Sequence, residues 1–339
     1  MHMEKSEYIE YAKGFSILTI VIFHLSLAFH LPKLLGYAAN FGGAGVHLFF
    51  FCSGFGLASS KYIDYVSFLK RRLNKVLVPY YFTITIIFLI NIIVKIYPNG
   101  FPEYLSHIFL YKMFFSKYEE SFGPQFWFIS TIIQFYLVFP LLLWLANSGN
   151  YKTILIFTLA FSLIYSLIVS LSPYANERVF NGFFIQYLWE FMLGMTVAKT
   201  RSLNKLINQP ITYYFIIAAI CIPLTALLAI KGGRIGKNFN DIFSFSAYTS
   251  IVIILYRLIK PFNKFILWIS EFSYSLYLIH MFVFNCLFNA LVLNTFKLLT
   301  VPFIFIIIIL AAYYYNFVLI KVNNLITTKR QVLYKNNAA

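Results

Sequence analysis

Apolar residues run along this chain in long unbroken stretches, separated by short segments that hold most of the charged residues, Gly and Pro. Runs of this length match neither the alternation of a half-buried strand nor the narrow stripe of a soluble amphipathic helix. They fit membrane helices, because a bilayer core about 30 Å thick takes roughly 20 apolar residues per helix. Apolar length alone predicts spans near 11–31, 41–60, 76–97, 125–146, 152–173, 182–199, 211–231, 241–260, 266–293 and 298–322. The expected fold is all-α: a polytopic transmembrane helical bundle of about ten spans. The segment 98–124, with Pro98, Pro102 and Pro124, is long enough for an interfacial helix on the outer surface. No internal repeat or second domain is visible. The expected organisation is a membrane domain over 1–325 and a short basic cytoplasmic tail over 326–339.

Composition agrees with lipid as the main solvent: 60% of residues are hydrophobic and only 11% charged, where a soluble domain carries about a quarter. The net charge of +16 raises nucleic acid as a partner, but the 27 Lys and Arg lie mainly between apolar runs. That placement is the positive-inside pattern, so no nucleic-acid partner is expected. With both termini cytoplasmic, the ten spans place 18 of the 27 at inner positions and 9 outside. The loop with Lys231, Arg234 and Lys237 runs against that trend. Cys52, Cys221 and Cys286 fall within apolar runs at spacings that suggest neither disulfide nor zinc, and no metal site is expected. Glu4, Lys5, Glu7 and Glu10 precede the first apolar run and no cleavage pattern follows it, so no removable signal peptide is expected.

Ionisable groups inside a bilayer cost a few kcal/mol each, which makes every one a functional candidate. His24, His47 and His280 lie in spans; among the acids, only Glu190 and Glu271 are read as within or at the edge of one. Lys13 and His24 are eleven residues apart, almost three turns, so they share a face to within about 20° and stand about 16 Å apart along the axis. A cation snorkelling to head groups and a His bonding a neighbouring helix would satisfy the same spacing. The second run, FGGAGVHLFFFCSGFGL, is dense in Gly, which lets backbones approach closely or the helix break. Ser53 within it is a hydrogen-bonding wall residue rather than a nucleophile, since no base adjoins it. Lys70, Arg71, Arg72 and Lys75 lead into the third span; Arg72 and Lys75, three apart, can clamp a phosphate-bearing ligand.

In order along the chain, GVHLFFFCSGF, FLKRRLNKVLVPYY, FWFISTIIQFYLVFP and EFSYSLYLIH resemble the motifs of the acyltransferase-3 family, membrane-bound O-acyltransferases that act on cell-surface polysaccharides. The family's Arg-x(10)-His pair corresponds to Lys13 and His24, with Lys keeping the charge but not the bidentate fork. Arg72 matches the next basic position, and Lys75 stands where a second Arg is common. No role attaches to His47, whose position varies in the family. The resemblance implies a cytoplasmic acyl-CoA donor, most often acetyl-CoA, with no permanently bound cofactor. It implies an acceptor hydroxyl on an extracytoplasmic or lipid-linked glycan, in a multi-pass cell membrane protein, bacterial by its Ile, Lys, Asn and Phe-rich composition. An esterase-like domain of the kind fused to some members is not expected within these residues.

The residues suit that chemistry. His24 is the expected catalytic residue, as base or as acyl carrier. Glu190 is expected with it, paired to a cation or an imidazole or else protonated. Lys13, Arg72 and Lys75 are assigned to the donor. Ser53, Trp127, Tyr136, Tyr277 and His280 are assigned to the substrate path, alongside contacts with membrane lipid. The rival reading is a glycan transporter or flippase, which would more often show paired repeats.

Overall fold

The computed structural model describes residues 3–28, 31–290 and 300–336, and the described residues are helical with no strand. The long helices are α1 (Met3–Ser26), α2 (Lys33–Phe41) leading through a 3₁₀ turn into α3 (Gly45–Ala58), and α4 (Tyr65–Val94). A short α5 (Phe101–Ile108) follows, then α6 (Trp127–Asn147) and α7 (Tyr151–Leu171). Next come α8 (Arg178–Asn181), α9 (Leu188–Lys199), α10 (Leu203–Ile207), α11 (Ile211–Lys231) and α12 (Gly233–Phe239). The chain closes with α13 (Asp241–Leu258), α14 (Lys260–Glu271), α15 (Ser273–Ala290) and α16 (Val301–Asn336).

Among the described residues, eight helices are long and apolar enough to cross a membrane, or nine if α14 and α15, bent by 77° at their junction, form one span. The expected ten included 182–199, and here the structure differs. Residues 182–187 fold as turns, so α9 has only 12 residues and rises about 18 Å, short of a bilayer core. Apolar length cannot tell the two apart, because Phe183, Phe184 and Ile185 are as hydrophobic in a turn as in a helix. The short helix is tolerable because it is surrounded by protein rather than lipid: Phe191, Met192 and Met195 are wholly buried. The segment from 98 to 124 carries the eight-residue α5 and then a series of 3₁₀ turns. Helix α16 continues to Asn336, through most of the expected tail; residues 337–339 lie outside the described set.

Helix α1 is the hub, packed on α3, α13, α14 and α15, with Tyr11, Ala12, Ile17 and Val21 buried among them. A second core, built on Phe50, Phe135, Phe139 and Phe191, joins α3, α6 and α9. Helices α3 and α9 meet through Gly54 and Gly194. A Cβ on Gly54 would overlap the Phe191 carbonyl, and one on Gly194 the Phe51 carbonyl, so the close approach requires hydrogen at both positions. The outer faces of α4, α7, α11 and α16 present apolar side chains such as Ile93, Ile156, Ile216 and Phe303 to lipid.

Pro79 removes one rung of α4, and Tyr274 of α15 donates to the Val76 carbonyl in the loosened turn at 2.7 Å. The segment after α4 is pinned by polar anchors. Asn91 holds the Tyr97 amide and the Asn99 carbonyl, and the Asn99 side chain in turn accepts from the Phe122 amide. Buried His107 sits between the Tyr80 hydroxyl at 2.7 Å and the Ser121 carbonyl at 3.1 Å. The carbonyl can only accept, so His107 carries its proton on Nε2 and accepts from Tyr80 at Nδ1. Burial, with the Lys112 charge second, holds its pKa well below the ordinary value. The Lys112 ammonium, donating to the carbonyls of Tyr118 and Glu119, is likewise pulled down, to about 7, by burial.

Candidate active site

His24 occupies the last turn of α1, and His280 sits on α15, placed by the bend between α14 and α15. Their rings stack with centroids 5.0 Å apart, and His24 Nδ1 lies 2.9 Å from His280 Nε2. The proton positions follow from what surrounds them. His280 Nδ1 faces the carbonyls of Tyr277 at 2.8 Å and Leu276 at 3.1 Å, which only accept. Nδ1 of His280 therefore bears hydrogen, and in the neutral ring Nε2 is an acceptor. His24 must then donate from Nδ1, which leaves its Nε2 with a free lone pair. This is the arrangement of an oriented base, in which a second group fixes the tautomer of the first. His280, assigned from sequence to the substrate path, is the group that orients His24.

The surroundings of this pair come from the connections between spans. Tyr277, one turn before His280, donates to the Gln125 carbonyl at 2.8 Å and ties α15 to the start of α6. Trp127 follows, and the Arg178 guanidinium lies over its ring at 4.9 Å. Arg178 is within electrostatic reach of His24, and its ion pair with Glu119 is long at 3.5 Å. Sequence reading passed over Arg178 because it lies between spans, where a lone basic residue carries no signal.

The three residues assigned from sequence to the donor lie away from this pair, Lys13 about three turns before His24 on α1 and Arg72 and Lys75 on α4. Lys13 pairs with Glu10 at 2.7 Å, and Lys75 is within electrostatic reach of Lys13, Glu10 and Arg72. Arg72 lies 5.9 Å from the Phe68 ring centroid, near Tyr136, and its Nε is buried without a hydrogen-bond partner. A buried guanidinium nitrogen is costly to leave unpaired, and among the described residues no protein acceptor pairs with this one. Tyr136 is buried against Phe68, and Ser53 is half-buried on α3.

Glu190 is not joined to His24. Its Oε1 bonds His47 Nδ1 at 2.8 Å, while His47 Nε2 lies 3.6 Å from Asp241 Oδ1. The partner of Glu190 is thus the imidazole to which sequence and resemblance gave no role. Asp241, at the first position of the apolar run 241–260, was left out of the acids read as lying at a span edge.

No curated protein and no solved structure matches this chain. The acyltransferase-3 family model, described as an acyltransferase domain, matches residues 6–317, which run from the first turn of α1 into the first half of α16 and include every residue of the site above. With nearly the whole bundle covered by that one match, the chain belongs to the acyltransferase-3 family.

Proposed function

We propose that this membrane acyltransferase moves an acyl group, acetyl foremost, from cytoplasmic acyl-CoA to a hydroxyl of an extracytoplasmic or lipid-linked glycan, with His24 at the reacting centre. The observation that carries the reading is the His24–His280 pair, whose hydrogen bonding leaves His24 Nε2 free. As a base, that nitrogen takes the hydroxyl proton while the oxygen attacks the thioester carbonyl; the C–S bond breaks and the thiolate leaves with the proton. As an acyl carrier, the same nitrogen attacks first and hands the acyl group to the hydroxyl in a second step. Lys13, Arg72 and Lys75 form a basic site suited to the phosphates of CoA, and the thioester would reach about 16 Å along α1 from them to His24. The cluster Lys61, Lys70, Arg71, Arg72 and Lys75 between the second and third spans favours a cytoplasmic location for that end of the bundle, and a bacterial cell membrane is the setting proposed.

The test uses the protein in proteoliposomes with labelled acetyl-CoA, together with mass and NMR comparison of cell-surface glycan with and without the protein. Label transferred to acceptor or released as acetate, and loss of glycan acetyl groups without the protein, are expected. Intact acetyl-CoA and unchanged glycan, with glycan movement across the membrane instead, would establish the transporter reading.

A further inference from the structure

Helices α3, α9 and α13 bring His47, Glu190 and Asp241 together, so that one ligand atom from each lies within 4.8 Å of the other two. This cluster is on elements other than those carrying His24 and His280. We infer that it is a binding site for one divalent transition-metal ion, held by one imidazole nitrogen and two carboxylate oxygens.

Charge balance favours an ion. Glu190 and Asp241 both pair with His47, and among the described residues neither carboxylate forms an ion pair with Lys or Arg. With both carboxylates ionised and His47 protonated, the cluster keeps a net charge of −1 in a nearly dry site, which is unfavourable. A neutral His47 with two carboxylates and a divalent cation sums to zero. An orphaned oxygen points the same way: Glu190 is wholly buried, its Oε1 is bonded to His47, and its Oε2 has no hydrogen-bond partner. A metal ion takes up such an oxygen.

The surrounding shell is also built. Asp241 Oδ2 accepts from Gln186 Nε2 at 2.6 Å, which leaves Oδ1 turned toward His47. Gln186 is itself fixed, accepting from Ser166 at 2.8 Å and donating to the Asn238 carbonyl at 3.2 Å. Ligating carboxylates are commonly held this way by a second hydrogen bond. Ligands about 2.1 Å from zinc sit roughly 3–4 Å apart; Glu190 faces Nδ1 and Asp241 faces Nε2 of His47, so closing the cluster around an ion on one imidazole nitrogen takes a turn of the His47 ring between the two carboxylates. One imidazole with two carboxylates suits Zn²⁺ or Mn²⁺ rather than a soft thiolate-bound metal.

The experiment takes the purified full-length protein in detergent, strips it with chelator and reloads it with Zn²⁺ or Mn²⁺ before desalting. Elemental analysis should find about one ion per chain, and X-ray absorption on the wild-type protein should show one imidazole among oxygen ligands. Asp241→Asn and His47→Ala should each weaken binding at least tenfold, while His24→Ala should bind as the wild type does. The metal should raise the melting temperature of the wild type and leave that of Asp241→Asn unchanged. A wild type that retains no ion, a spectrum with two imidazoles, or binding that survives Asp241→Asn would overturn the inference. The first of these outcomes would mean that a proton balances the cluster instead.

Discussion

Replacing His280 tests the proton positions without touching His24, the residue proposed to react. His280→Leu removes the acceptor of the His24 Nδ1 hydrogen while filling much of the same volume. The cost follows from the strength of that hydrogen bond. A hydrogen bond between neutral groups contributes about 0.5–1.5 kcal/mol, and each 1.4 kcal/mol is tenfold, so loss of the preferred tautomer should slow turnover by about 2- to 13-fold. Freedom gained by the His24 ring adds to this, but the total should stay below the 10²–10⁴ typical of removing a general base. His280→Gln offers an amide oxygen to the same hydrogen and should recover most of the rate. The assay is acyl transfer from labelled acetyl-CoA in proteoliposomes, with donor KM measured alongside, because an orienting residue should change kcat and leave donor KM alone. Unchanged kcat in His280→Leu would refute the tautomer assignment. A loss as deep as that of His24→Ala, without rescue by Gln, would mean that His280 takes part in the chemistry itself.

Other expected outcomes concern the two ends of the bundle. Arg72→Ala should raise donor KM by about 10- to 100-fold with little change in acceptor use, since it deletes a charge-assisted bond to the donor at a position where Nε has no partner within the chain; unchanged donor binding by calorimetry would leave the basic cluster a topological signal only. The segment from 98 to 124 should be most firmly held at alkaline pH. For Lys112 the folded pKa, about 7, lies below the unfolded value of about 10.4, so the unfolded state binds more protons between them and stability falls as pH drops through that window. His107, also depressed, adds a further loss below about 6.5. Melting temperature against pH checks this, and Lys112→Met should flatten the dependence above pH 7.

The fold class was legible because its physics is local: about 20 apolar residues in a row have few alternatives to a membrane helix. Local patterning failed at 182–199, where six residues of an apolar run form turns and only tertiary burial makes the short α9 acceptable. The phase of Lys13 and His24 could be read because both lie on one helix. The His24–His280 hydrogen bond could not, since 256 residues separate the partners and no periodicity connects them. For Glu190, the cost of a buried carboxylate predicted a cation or imidazole as partner. It could not say which: His47 was set aside as a variable position, and Asp241, at the start of its apolar run, was not counted among the span acids.

If His24 carries the reaction while the basic cluster at the other end of α1 holds the donor, the two functions should separate in a single variant. The most direct test is the turnover of His24→Ala in proteoliposomes, measured beside acetyl-CoA binding by the same preparation. Transfer should be reduced by at least about 10²-fold with donor binding preserved. Turnover near the wild-type rate by folded His24→Ala protein would contradict this assignment.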